Sequence, residues 1–125
     1  MQVLLDTHIY LWFVGADKLL PTEAISIMDS AEAIYVSSAT LWEIAIKVRT
    51  GKLKVELDEL VEKMGPSGFH SLPILPSHTT LIAKLPMHHR DPFDRMLVAQ
   101  AISEEIWLLT SDRQLRQYSD RVVHV

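Results

Sequence analysis

A chain of 125 residues, 48% of them hydrophobic, has the size of one domain with one shared core, so residues 1–125 are expected to fold as a single unit. The absence of cysteine excludes disulfides, zinc–thiolate sites and thiol nucleophiles, fits a reducing cytoplasm, and leaves only oxygen and imidazole to hold any metal. A net charge of −4 speaks against the basic face with which nucleic-acid-binding proteins displace counterions, an objection that weakens if several acids surround one cation.

The N-terminal MQVLLDTHIY has no basic leader before its apolar stretch. No apolar run approaches the roughly 20 residues of a membrane-spanning helix, so a soluble, cytoplasmic protein with no membrane partner is expected. Val3 to Leu5 read as a short buried strand ending at Asp6, followed by helices near 7–14 and 22–30. Ile34 to Val36 read as a second strand ending at Ser37 and Ser38, and Ser38 is placed to cap a helix running to about Thr50 and closed by Gly51. A helix near 58–64, a loop at Gly65 to Gly68, a run from Leu72 to Leu75 broken by Pro73, and a helix near 77–84 come next. Asp91 before Pro92 is a helix-start signal for a segment through about Glu104. Ile106 to Leu109 form a third strand that stops at Thr110, Ser111 and Asp112; a short helix near 113–118 and a weaker strand at Val122 to Val125 finish the chain. Alternating strands and helices predict an α/β fold, three-layer α/β/α with a mostly parallel central sheet of four to five strands.

Ligands of open parallel sheets bind beyond the carboxyl ends of the strands. Asp6 and Asp112 lie at two such ends, and Asp94 lies in the first turn of the helix that leads into the third strand, hence at the same edge. Glu43, the fifth residue past Ser38, is within reach from roughly 7–8 Å up its helix. Its helix is apolar on two sides, where an ionised carboxylate needs a pair, a hydrogen bond or a metal; the plain alternative is an ion pair with Lys47 one turn on. Asp6 and Asp112 also suit strand-end turns, and an acid at position 94 suits a helix start capped by Asp91. Three or four carboxylates gathered together will not all stay ionised without a cation, and an all-oxygen site suits Mg²⁺ or Mn²⁺.

The segments LLDTH, SSATLWEIAIKVRTGKL, HHRDPFDRMLVAQA and LLTSD, in that order and spacing, resemble a PIN-domain ribonuclease of the VapC toxin family over nearly the whole chain. The resemblance carries the family's acidic positions onto Asp6, Glu43, Asp94 and Asp112, with Thr7 and Thr110 as polar neighbours. It implies Mg²⁺- or Mn²⁺-dependent cleavage of RNA, homodimerisation, and neutralisation by a small antitoxin seated near the acids. In the mechanism expected on that basis, Asp6, Asp94 and Asp112 hold the metal and Glu43 orients or deprotonates the attacking water, leaving 5′-phosphate and 3′-hydroxyl ends. Lys47, Arg49, Lys52 and Lys54, joined by Arg90 and Arg95, are candidates to meet substrate phosphates, although each also suits a solvated helix end. His88 and His89 read as loop residues outside any HExxH arrangement.

Two rival readings have their own signatures. A phosphatase of the haloacid-dehalogenase kind also begins with a strand ending in Asp, but wants a second Asp two positions on, where this chain has His8. A non-catalytic interaction module would keep the fold without binding Mg²⁺ or Mn²⁺.

Overall fold

Valine, isoleucine and leucine dominate the short runs that become strands, and their branched side chains fit a sheet covered on both faces. In the computed structural model, which describes residues 1–125, these runs are β1 (Gln2–Leu5), β2 (Ala33–Ser37), β3 (Phe69–Leu72), β4 (Trp107–Thr110) and β5 (Val122–His124). They form one sheet in the order β3-β2-β1-β4-β5, every pair parallel. Six α-helices connect them: α1 (Thr7–Val14), α2 (Thr22–Ser30), α3 (Ser38–Arg49), α4 (Leu57–Met64), α5 (Pro76–Lys84) and α6 (Pro92–Glu104), with a 3₁₀ turn at Arg113–Gln117. None is long and apolar enough to cross a membrane.

Successive residues of a strand point to opposite faces, and the core divides accordingly. Val3, Leu5 and Leu109 pack on one side with Ile9 and Tyr10 of α1, Met28 of α2 and Ile44 of α3. Leu4 and Leu108 pack on the other with Leu97, Val98 and Ala101 of α6 and with Leu115. Both clusters are almost free of solvent, and each large aliphatic side chain so placed contributes about 1.5–3 kcal/mol relative to exposure. The result is the three-layer α/β/α arrangement expected from the sequence, with all five strands parallel.

Three local expectations need correction. The strand expected at Leu72 to Leu75 lies at Phe69–Leu72 instead, ending where Pro73 has no N–H to give the ladder. Helix α3 is capped by Ser37 rather than Ser38: the Ser37 hydroxyl accepts from the Ala39 N–H at 3.0 Å. The segment near 113–118 is a 3₁₀ turn, not an α-helix.

Helix α6 ends at Glu105 with φ 56, in the left-handed region where a side chain costs energy and glycine does not. Replacing Glu105 with Gly is expected to raise the unfolding free energy by about 1 kcal/mol, measurable as a higher denaturant midpoint with an unchanged slope. The Arg121 contact survives that change, since it is made to the Glu105 carbonyl oxygen.

Candidate metal centre

Strand order reverses between β1 and β4: the chain winds outward to β3 on one side and to β5 on the other. A crevice opens at such a reversal, beyond the carboxyl ends of the strands. Asp6 follows β1 directly and Asp112 follows β4 by two residues, so both flank that crevice.

Asp6 is buried and caps α1, its Oδ1 accepting from the Ile9 N–H at 2.9 Å. Its Oδ2 accepts from the Thr110 hydroxyl. Thr110 Oγ1 in turn accepts from the Asp112 N–H at 3.0 Å, so one buried hydroxyl ties the two strand-end acids together. Asp112 Oδ1 caps the 3₁₀ turn through the Gln114 N–H at 3.0 Å. The turn-forming roles weighed for these two acids are therefore real, and each acid faces the crevice as well as serving a cap.

Asp91 caps α6, its Oδ1 accepting from the N–H groups of Phe93 at 2.8 Å and Asp94 at 3.1 Å. That frees the Asp94 side chain, three residues on, to face the other acids. Burial, then the negative charges of Asp91, Asp6 and Glu43, push the Asp94 carboxyl up to about 7, with His89 opposing. Burial also raises Asp6, against the hydrogen bonds from Ile9 and Thr110 that favour its charged form. Asp94 therefore senses Asp6 and Glu43, and Asp6 senses Asp112.

Glu43 is buried on α3. Its Oε1 accepts from the Thr7 hydroxyl at 2.6 Å, and its Oε2 pairs with Lys47 Nζ at 3.1 Å. The i,i+4 ion pair held as the plain alternative is thus present, and Glu43 still stands close enough to Asp94 to act on it. Lys47 meets a carboxylate, while Arg49 and Arg90 are exposed.

Arg95 is different from the other basic candidates. It is buried, and its guanidinium donates to the carbonyl oxygens of Ile82, Leu85 and Pro86 and to the Tyr118 hydroxyl. With the four Nη hydrogens committed to three carbonyls and a hydroxyl, and the side chain buried, Arg95 serves a structural role here in place of the expected phosphate contact.

The sequence reading left His89 in a loop, and the structure brings it into the centre. Its Nε2 lies 2.9 Å from Asp112 Oδ2 and 3.6 Å from Asp94 Oδ2. Its Nδ1 accepts from the Asp91 N–H at 3.0 Å. A backbone N–H can only donate, so Nδ1 keeps its lone pair and Nε2 carries the hydrogen, aimed at Asp112. The Tyr118 hydroxyl, held by Arg95, accepts from the His89 N–H at 2.8 Å and fixes the loop. No spacing rule points to this residue, because its partners come from three separate segments.

Ligand atoms of His89, Asp94 and Asp112 lie within 4.8 Å of one another. With Asp6 and Glu43 beside them, the donor set is mainly carboxylate oxygen, and burial together with the neighbouring charges keeps Asp94 partly protonated near neutral pH. Hard divalent cations relieve that repulsion, and an oxygen-rich, partly open site fits Mg²⁺ or Mn²⁺.

The family model of the PIN domain matches residues 3–121. Over 123 residues the chain is 28% identical to ribonuclease VapC22 of Mycobacterium tuberculosis, covering 93% of this chain and 91% of that protein. The backbone is similar to a crystal structure of VapBC2 from Rickettsia felis bound to a DNA fragment from their promoter, with TM-score 0.71 and 15% identity over 100% of this chain and 98% of the other. It is similar also to FitAcB from Neisseria gonorrhoeae, with TM-score 0.68 and 18% identity over 98% and 96% of the two chains.

Proposed function

Because the chain belongs to the PIN-domain family, we propose that it is a metal-dependent endoribonuclease and the toxin half of a toxin–antitoxin pair. The observation that carries this reading is the convergence of Asp6, Glu43, Asp94 and Asp112 at the sheet's reversal point, with Asp94 raised to about 7 by burial and then by its acidic neighbours. Similarity to a VapC ribonuclease and to FitAcB supports it. The phosphatase reading loses its second Asp to His8, an exposed residue in the first turn of α1.

Asp6, Asp94 and Asp112 are the residues to hold Mg²⁺ or Mn²⁺, which when bound supplies Lewis-acid stabilisation of charge on the phosphate and a source of reactive water. The chain contributes position. Thr110 fixes the orientation of Asp6 and the backbone of Asp112, Asp91 sets the first turn of α6 so that Asp94 projects inward, and His89 steadies Asp112 through its Nε2 hydrogen. Glu43 is anchored by Thr7 and Lys47, yet each of its oxygens keeps a lone pair with which to accept from and orient the attacking water. Hydrolysis by that water leaves a 5′-phosphate and a 3′-hydroxyl.

Removing the His89 donor leaves Asp112 Oδ2 without its partner, the carboxylate then being held only by the Gln114 N–H on Oδ1. His89→Ala is expected to weaken Mn²⁺ binding by about 10–100-fold, whereas His89→Gln, which keeps an N–H donor, retains more of it; calorimetric titration of each variant reads the difference.

A partner is supported by surface character. Phe13 on α1 and Trp42 on α3 are 40% and 60% exposed, an unusual placement for large aromatics that suits the apolar face of an antitoxin helix. Brief expression of the chain in a bacterial host should arrest growth and generate new RNA 5′ ends bearing phosphate. Co-expression of the gene encoded beside it should restore growth. Growth unaffected by the chain alone would overturn the toxin assignment.

A further inference from the structure

An open cleft of ≈ 460 Å³ lies beside the acids, a volume within the range of small-ligand sites. Its lining includes His8 and Trp12 of α1, Lys47 of α3 and Lys52 beyond that helix, together with aliphatic side chains and Asp17. The His8 and Trp12 rings lie 5.8 Å apart, tilted by 47°. The cleft joins the acid site at two points: Lys47 Nζ is 3.1 Å from Glu43 Oε2, and His8 stands two residues after Asp6.

Apart from Lys47, which anchors Glu43, the functional reading leaves this constellation unused. The lining sets two amines, offset in part by the Asp17 carboxylate, beside an indole and an imidazole, next to the carboxylates that would take a phosphodiester. Lys47 is held by Glu43, whereas Lys52 is exposed and makes no ion pair. Asp17 is occupied in a turn, its Oδ1 accepting from the Leu19 N–H at 2.8 Å. Aromatic rings interleaved with amines are how single-stranded nucleic acid is held without sequence readout, by stacking and by phosphate pairing. A polypeptide segment would use the apolar lining but has less use for two clustered amines.

We propose that this cleft is a nucleotide subsite of the nuclease, in which an unpaired base of the RNA stacks on Trp12 and His8 while Lys52 and Lys47 meet a neighbouring phosphate. The proposal rests on the ribonuclease reading, and it locates the strand next to the bond being cut. Trp12 supplies the larger π surface. Lys52 supplies a charge not already neutralised within the protein.

The test is binding of a fluorescein-labelled single-stranded RNA octamer of mixed sequence to the full chain, followed by anisotropy with Ca²⁺ replacing Mg²⁺ and the oligomer checked for integrity. Trp12→Leu keeps an apolar side chain against the core but has no π face, and should weaken binding by about 5- to 100-fold. Trp12→Phe should recover most of that loss. Lys52→Ala, on the exposed side of the cleft, should weaken binding and reduce the slope of log K against log salt by about 0.7. Melting temperature in Mn²⁺ should remain near wild type for Lys52→Ala. Wild-type affinity in both Trp12→Leu and Lys52→Ala overturns the subsite and leaves the ribonuclease reading intact. Failure of the unaltered chain to bind the octamer at all overturns both. Unchanged RNA binding with loss of co-purification with the protein encoded beside it would assign the cleft to that partner and overturn the subsite.

Discussion

Asp94→Asn should reduce RNA cleavage by about two to four orders of magnitude, the loss expected when several kcal/mol of charge stabilisation depends on a cation that the variant holds poorly. The same variant should be more stable than the parent in the absence of metal, and the gain should depend on pH in a defined direction. Asp94 is raised from an ordinary 3.8 to about 7 in the folded protein, so between those values the native state binds more protons than the unfolded chain. Stability contributed by the protonated carboxyl is then fully present below about 4 and is lost as pH rises through about 7. Asparagine cannot ionise and escapes that loss. Melting curves in EDTA should therefore show Asp94→Asn closest to the parent near pH 4 and increasingly above it toward pH 8. A parent whose metal-free stability rises over that interval relative to the variant would contradict the burial of Asp94 and its crowding by Asp91, Asp6 and Glu43.

Asp6→Asn should be as damaging to cleavage and nearly silent in the fold. Asparagine caps a helix about as well as aspartate, so the bond from the Ile9 N–H to the side-chain oxygen can persist. The amide that replaces Oδ2 reverses the polarity of the Thr110 contact, and removal of a buried charge offsets that cost, since burial already disfavours ionised Asp6. Cleavage should fall by about two to four orders of magnitude with little change in melting temperature. Asp6→Ala should lose cleavage equally and add about 0.5–2 kcal/mol of destabilisation from the missing cap. Comparing the two separates the metal role of the carboxylate from its capping role.

The sheet was readable in the sequence wherever strands were continuous runs of branched apolar residues, as at Val3–Leu5 and Ile34–Val36, because burial on both faces leaves no other use for them. Edge strand β3 was not: Phe69–Leu72 has exposed His70 and Ser71 at its centre, and the more apolar Leu72 to Leu75 drew the expectation three residues along. Asp6, Asp94 and Asp112 were legible as candidates because strand ends and a helix N-terminus share one edge of a parallel sheet, and Glu43 because a long side chain one turn up its helix can reach that edge. Beyond them, spacing gave little guidance. His89 reaches Asp112 across 23 residues of chain, through a loop whose course depends on Tyr118 and Arg95. Arg95 itself looked like a phosphate contact because charge alone was visible, whereas its role is decided by the carbonyls at the end of α5 to which it donates. The Glu43–Lys47 pair followed from helical spacing, but its coexistence with the acid cluster needed the fold.

The most direct test of a metal-dependent ribonuclease built on these carboxylates is cleavage of single-stranded RNA by the purified chain, stripped with EDTA and then supplied with Mg²⁺ or Mn²⁺. Cleavage should be absent in EDTA, return with either ion, and yield 5′-phosphate ends. Undiminished cleavage by the metal-free chain would contradict the account.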